Sequence, residues 1–162
     1  MYDGSEIQDG RTAFDFFIGR WDVRHRRLNA RLAGCTDWTE FGGFCETRKI
    51  LRGQGNMDDN VLDLPGDRYA AVTTRLFDPK TQLWSIYWID ARHPVIEPPV
   101  HGRFEDGVGL FFGDDELDGR PIRVRFTWSH ITPVSARWSQ AFSADDGATW
   151  ETNWTMDFNR LG

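Results

Sequence analysis

Short segments in which aromatic and β-branched residues recur at every second position, each ended by a turn signal within about ten residues, constrain this chain more than any other feature. "AAVTTRLF", "LWSIYWI", "GLFFG", "IRVRFTW" and "ARWSQAF" all read as strands. "RGQGN" (52–56), "LPGD" (64–67), "DPKTQ" (78–82), "EDG" (105–107), "DDELDGRP" (114–121) and "SADDGAT" (143–149) read as turns between strands. In "LWSIYWID", Trp84, Ile86 and Trp88 share one face; in "IRVRFTW", Val124, Phe126 and Trp128 oppose Arg123, Arg125 and Thr127. In "RWSQAF", Trp138, Gln140 and Phe142 oppose Arg137, Ser139 and Ala141. With the aromatic faces inward, Gln140 is interior and its amide needs a partner.

Eight to ten such strands joined by tight turns predict an all-β, antiparallel, up-and-down sheet. An open sheet would leave two pairing edges, and closure into a β-barrel removes them. A barrel of this strand number can hold a small cavity. Two helical stretches are expected, "GRTAFDFFI" near the N-terminus and "LNARLAG" (28–34), which Gly34 would stop. "GQGNMDDN" lacks the Lys-Ser/Thr of a phosphate loop and the late Glu of an EF-hand, and reads as a hairpin turn.

At 162 residues, residues 1–162 are expected to form a single domain. The net charge of -6 and pI near 5.1 argue against a nucleic-acid partner. Cys35 and Cys45 fit no zinc spacing, and no two of His25, His93, His101 and His130 stand at i, i+2 or i, i+4. Neither metal nor other cofactor is therefore expected. The first residues, "MYDGSEIQDGRTAFDFF", lack a basic n-region and an apolar h-region, and no apolar run approaches ~18 residues, so no membrane span is expected. A reducing, cytoplasmic setting follows as the expectation.

"FDFFIGRWDV" places a Gly-x-Trp at the entry to the first strand, and "WTMDFNRLG" places Arg160 just past the last. This pairing resembles the calycin superfamily of lipocalins and fatty-acid-binding proteins. The resemblance implies a calycin-like barrel closed by contact of Trp21 with Arg160, a cation–π stack of about 0.5–2 kcal/mol. A broader set of segments, among them "RLFDPKTQLWSIYW" and "RWSQAFSADDGATWETNW", resembles a bacterial calycin-like family of unknown function, the DUF1579 type. That resemblance implies a fold and no catalytic residues.

"SADDGATW" matches the Asp-box turn of sialidases through Ser143, Asp145, Gly147, Thr149 and Trp150. Such a turn is self-sufficient: the carboxylate and hydroxyl bond local backbone, and the glycine permits a positive φ. Sialidase propellers need about 240 residues or more, so the match is read as a turn and not as a sialidase.

The residues expected to line the cavity are His25, Arg75, Trp84, Trp88, Arg125, Trp128, Trp138 and Gln140. His25 shares the Trp21–Val23–His25–Arg27 face. Arg75 and Arg125 are strand-central and need a carboxylate or carbonyl if buried, from Glu151, Asp90 or Asp157, or else an anionic ligand head. Three functional classes stay open. The first is a binder of a small apolar or aromatic molecule. The second is an isomerase or cyclase using a perturbed group such as His25, Glu46 or Glu151. The third is an interaction module, monomer or homodimer, with an exposed aromatic patch around Trp38, Phe41 and Phe44.

Overall fold

A computed structural model describes residues 10–162; the segment 1–9, read above for a leader, lies outside them. Eleven strands follow in chain order. They are β1 Gly19–Leu28, β2 Trp38–Ile50, β3 Gly55–Leu62, β4 Tyr69–Asp78, β5 Leu83–Asp90, β6 His93–Ile96, β7 Val100–Glu105, β8 Val108–Leu117, β9 Arg120–Ser129, β10 Ser135–Ser143 and β11 Glu151–Arg160. All pairings are antiparallel. The sheet runs β4-β3-β2-β1-β11-β10-β9-β8-β7-β5, and β4 pairs with β5 to close the ring, with β6 pairing only with the end of β5. The expected closed barrel therefore forms, with ten strands in the ring. No helix among the described residues is long and apolar enough to cross a membrane.

Closure works as the resemblance implied. Trp21 of β1 faces Arg160 of β11 in register, and the guanidinium lies 4.2 Å from the indole centroid. Arg160 also donates to the carbonyls of Ile18 (2.7 Å), Phe16 (2.6 Å) and Pro133 (3.0 Å). One side chain thus ties the N-terminal segment to the last strand.

The segment expected as a helix in "GRTAFDFFI" is two 3-10 turns, Gly10–Thr12 and Asp15–Phe17. Each is too short to carry a helical face, and it is packing that holds them. Phe14 and Phe17 are buried in one end of the barrel against Trp84, Trp128, Phe111 and Phe158. Trp84 donates its Nε1–H to the Gly10 carbonyl at 3.0 Å. This aromatic plug fills the barrel end where β1 begins.

The short N-terminal helix is thus present, in 3-10 form, whereas two expectations fail. Residues 28–34 form no helix: Leu28 ends β1, and the rest belongs to a bent loop in which Leu32 has φ of 54°. The loop gains more from docking Leu32 on the core than a single isolated helical turn could supply. "GQGNMDDN" is only in part a turn, because Gly55–Asn60 belong to β3. There the alternation is inverted, with Asn56, Asp58 and Asn60 buried and Asp59 exposed, so a rule that looks for apolar faces cannot find the strand.

The Ser143–Trp150 turn closes on itself. Ser143 Oγ donates to Asp145 Oδ1 at 2.8 Å and accepts from Gly147 N, while Thr149 N and Oγ1 both donate to the Asp145 carboxylate. These bonds hold Asp145 down at a pKa of about 2, the Thr149 side chain contributing most.

Candidate functional site

Opposite the plug, the barrel interior is open. A chamber of about 240 Å³ runs from Arg75 out past the ends of β1, β5 and β8. Its wall is a chain of aromatic edges: Phe126 on Trp138 (4.9 Å between centroids), Trp138 on Trp154 (5.2 Å) and Trp154 on Trp88 (5.6 Å). Ile86, Val124, Met156 and Phe158 complete the apolar surface. Alternation along β5, β9, β10 and β11 turns these side chains inward.

At its inner end the chamber meets a buried polar network. Arg75 is 4% exposed, donates to Asn56 Oδ1 at 2.8 Å and pairs with Asp58 Oδ2 at 2.8 Å. Asp58 Oδ1 also accepts from Asn60 Nδ2 (2.5 Å) and from the Thr73 backbone N–H (3.0 Å). The guanidinium lies over the rings of Phe14, Phe17 and Trp128 at 5.1–5.6 Å. A buried charge needs this degree of pairing. The partner is Asp58, not the Glu151, Asp90 or Asp157 expected from sequence. The Trp128 Nε1–H is buried without a partner among the described residues.

Of the eight residues expected to line the cavity, Arg75, Trp88, Trp128, Trp138 and Gln140 do so. Gln140 finds its partner in Asn153, donating Nε2–H to Oδ1 at 2.8 Å. Asn153 is the extra residue where the β10–β11 register shifts. The other three are elsewhere. Trp84 belongs to the plug. Arg125 is on the outer face, stacked on Trp150 at 4.6 Å, as alternation against Val124 and Phe126 requires. His25 stands behind the wall: its ring is stacked on Phe41 at 4.6 Å, and Nδ1 accepts from Trp154 Nε1 at 3.1 Å. Burial, then the nearby Arg27 charge, push its pKa down to about 3. Gly43 makes room for this ring, since a Cβ there would come within 2.9 Å of His25 Nε2 and 2.6 Å of the Val61 carbonyl.

The mouth holds one group that strand alternation placed inward, Arg27, and two that it did not, Arg31 and Arg92. Arg27 lies on the Trp154 face at 4.0 Å and donates to the Tyr69 hydroxyl at 2.6 Å. Arg92 lies 3.5 Å from the Tyr69 ring centroid and is bonded to Asp90 and Asp67. Arg31 comes from the β1–β2 loop, which is tied down by the Leu32 N–H bond to Glu151 Oε1 at 2.7 Å. Glu97, Asp114 and Asp115 also line the chamber. Arg31 and Arg92 lie in connections, where no strand periodicity marks them. Arg27 shares the inward face of β1 with Trp21, Val23 and His25, and from that face it enters the chamber.

The groups considered for acid–base chemistry do not converge on the chamber. His25 is outside it, Glu46 is exposed on the outer face of β2, and Glu151 holds the loop. The patch expected around Trp38, Phe41 and Phe44 is also covered. Phe41 is buried, Trp38 carries Arg26 at 4.2 Å, and Phe44 carries Arg20 at 5.9 Å. The exposed outer apolar side chains instead include Val108, Leu110 and Phe112 of β8.

No protein-family model matches the chain, so the DUF1579-type resemblance rests on the quoted segments alone. No curated protein matches it either. Among solved structures, the chain is similar to an S-type phycobiliprotein lyase, CPES from Guillardia theta. The two are 12% identical with a TM-score of 0.60, over 99% of this chain and 99% of that one. The likeness shows a lipocalin-like, calycin-type barrel.

Proposed function

We propose that this barrel binds a small apolar or aromatic molecule in the chamber lined by Trp88, Trp138, Trp154 and Phe126. The observation that carries the reading is an unfilled, aromatic-walled space of about 240 Å³ that opens at one barrel end. A barrel needing only stability would gain by filling it, because an empty cavity forfeits contacts on every lining atom. The volume lies just below the ~300 Å³ at which drug-sized pockets begin, which favours a ligand of about two fused rings. The similar lyase supports a barrel of this kind as a ligand holder, and its activity is not carried across at 12% identity. Binding is preferred over isomerase or cyclase chemistry because His25, Glu46 and Glu151 all stand away from the chamber. A cytoplasmic setting, with Cys35 and Cys45 as free thiols, fits the reading.

The test is titration with naphthalene-sized probes, read from quenching of the wall tryptophans. Saturable one-site binding is expected, and Met156→Trp, which fills the chamber, should abolish it. Overpacking costs about 1–3 kcal/mol, so the milder Met156→Phe, monitored for an unchanged unfolding midpoint, should weaken binding in the same direction. Absence of saturable binding, or binding undiminished in both variants, rejects the reading.

A further inference from the structure

We infer that the mouth of the chamber is a carboxylate site, formed by Arg27, Arg31 and Arg92 around Tyr69, and that the ligand is a planar apolar molecule bearing one carboxylate. The inference rests on the chamber being a binding site. It goes further by assigning the ligand's charge and the orientation in which it enters.

Three guanidiniums converge on one side of the opening. Two of them, Arg27 and Arg92, bracket Tyr69: Arg27 holds its hydroxyl and Arg92 covers its ring. Among the described residues, only Arg92 of the three has carboxylate partners, Asp67 and Asp90. Within the same residues Arg27 and Arg31 form no ion pair, and the Nε–H of each is buried with no acceptor. Buried donors without acceptors carry a desolvation cost, and an incoming oxyanion would remove it. Arg92 is already paired with Asp67 and Asp90, so Arg27 and Arg31 are the guanidiniums left to take an acceptor. A planar, singly charged carboxylate suits them, whereas a doubly charged phosphate would be repelled more strongly by Glu97, Asp114 and Asp115 of the same chamber.

The surroundings set direction and geometry. Glu97, Asp114 and Asp115, which also line the chamber, repel an anion and favour the arginines as its seat. Arg27 is held flat on Trp154, so its edge is already oriented for a planar acceptor. Arg31 reaches the chamber from the β1–β2 loop. Burial, then the charges of Arg27 and Arg92, push its pKa below the ordinary arginine value. An anion between these groups would relieve that repulsion.

The experiment compares 2-naphthoate with 2-naphthamide, two probes of the same shape that differ in charge, each titrated by tryptophan quenching. The naphthoate should bind about tenfold to a hundredfold tighter, as expected for charge-assisted over neutral hydrogen bonds. Its advantage should shrink as salt is raised. Arg31→Gln, on a loop outside the strands, should remove most of the preference, lowering naphthoate affinity by about tenfold or more and naphthamide affinity far less. Arg27→Gln should do the same, with its unfolding midpoint measured alongside; should that variant not fold, the Arg31→Gln result decides. Equal affinity for the two probes overturns the carboxylate site and leaves the chamber reading in place. So does a preference that survives Arg31→Gln and Arg27→Gln. If neither probe binds, the chamber reading itself fails and the carboxylate site fails with it.

Discussion

His25 shows how far one residue's role depends on its neighbours. Its ring is 4% exposed, packed on Phe41, with Nδ1 accepting from the Trp154 indole. That hydrogen bond requires a neutral ring with its proton on Nε2. Folding lowers the pKa from 6.5 to about 3, so below pH 6.5 the unfolded chain takes up a proton that the folded chain refuses. The contribution is complete above about pH 6.5 and is lost as pH falls toward 3, on the order of 4–5 kcal/mol at the lower limit. Unfolding free energy measured by denaturant titration should fall across this window. His25→Phe should flatten the slope while costing about 1–3 kcal/mol at pH 7, because the Trp154 donor loses its acceptor. A slope unchanged in His25→Phe would show that other groups govern the acid limb. In sequence this histidine could have been a base, a ligand or a packed ring. The stacked Phe41 and the Trp154 donor, both remote along the chain, decide among these.

At the scale of elements, the least regular segments do the most to organise the barrel. The 3-10 turns at Gly10–Thr12 and Asp15–Phe17 have no amphipathic face, yet they seal one end through Phe14 and Phe17. Arg160 clamps them by donating to the Phe16 and Ile18 carbonyls. Arg160→Ala should destabilise the fold by about 2–4 kcal/mol, since hydrogen bonds from a charged donor and a cation–π contact are lost together. Arg160→Lys should recover only part of this, because a point charge cannot serve three carbonyls with a planar fork. Denaturation midpoints, together with proteolysis near Phe16, check both, and a lysine variant as stable as the parent would show that the fork geometry is unimportant. β3 shows the limit of reading elements from pattern. Its inward side chains are Asn56, Asp58 and Asn60, and they are tolerated only because Arg75 crosses from β4 to meet them. The β1–β2 loop was unreadable for a similar reason, its conformation depending on Glu151 about 120 positions away.

For the whole molecule, ring closure distributes stability unevenly. Every ring strand has neighbours on both sides, whereas β6 pairs only with the last residues of β5 and all four of its residues are exposed. Beyond it, Glu97–Pro99 interrupts the neighbour of β5 before β7 resumes at Val100. Hydrogen exchange should therefore be fastest, among the strands, at His93–Ile96, and slow in β10 and β11; local openings occur where few buried contacts resist them. Protection at β6 equal to that of β10 would contradict this. The same interruption leaves the second half of β8 unpaired on its β7 side and helps to form the mouth of the chamber.

The sequence by itself determined the barrel. Period-two alternation of bulky residues, turn residues at short intervals and a Gly-x-Trp answered by a late arginine are local or terminal signals, and each survives translation into three dimensions unaided. It also determined which aromatic faces turn inward on β5, β9 and β10. Only the tertiary structure decided that Arg75 is held by Asp58, that Arg125 is outside, that His25 stands behind the wall, and that Arg27, Arg31 and Arg92 meet at one opening. The physical reason is that burying a charge or a polar ring is feasible only opposite a partner. Partners in a closed sheet come from strands distant along the chain, and no local pattern records them.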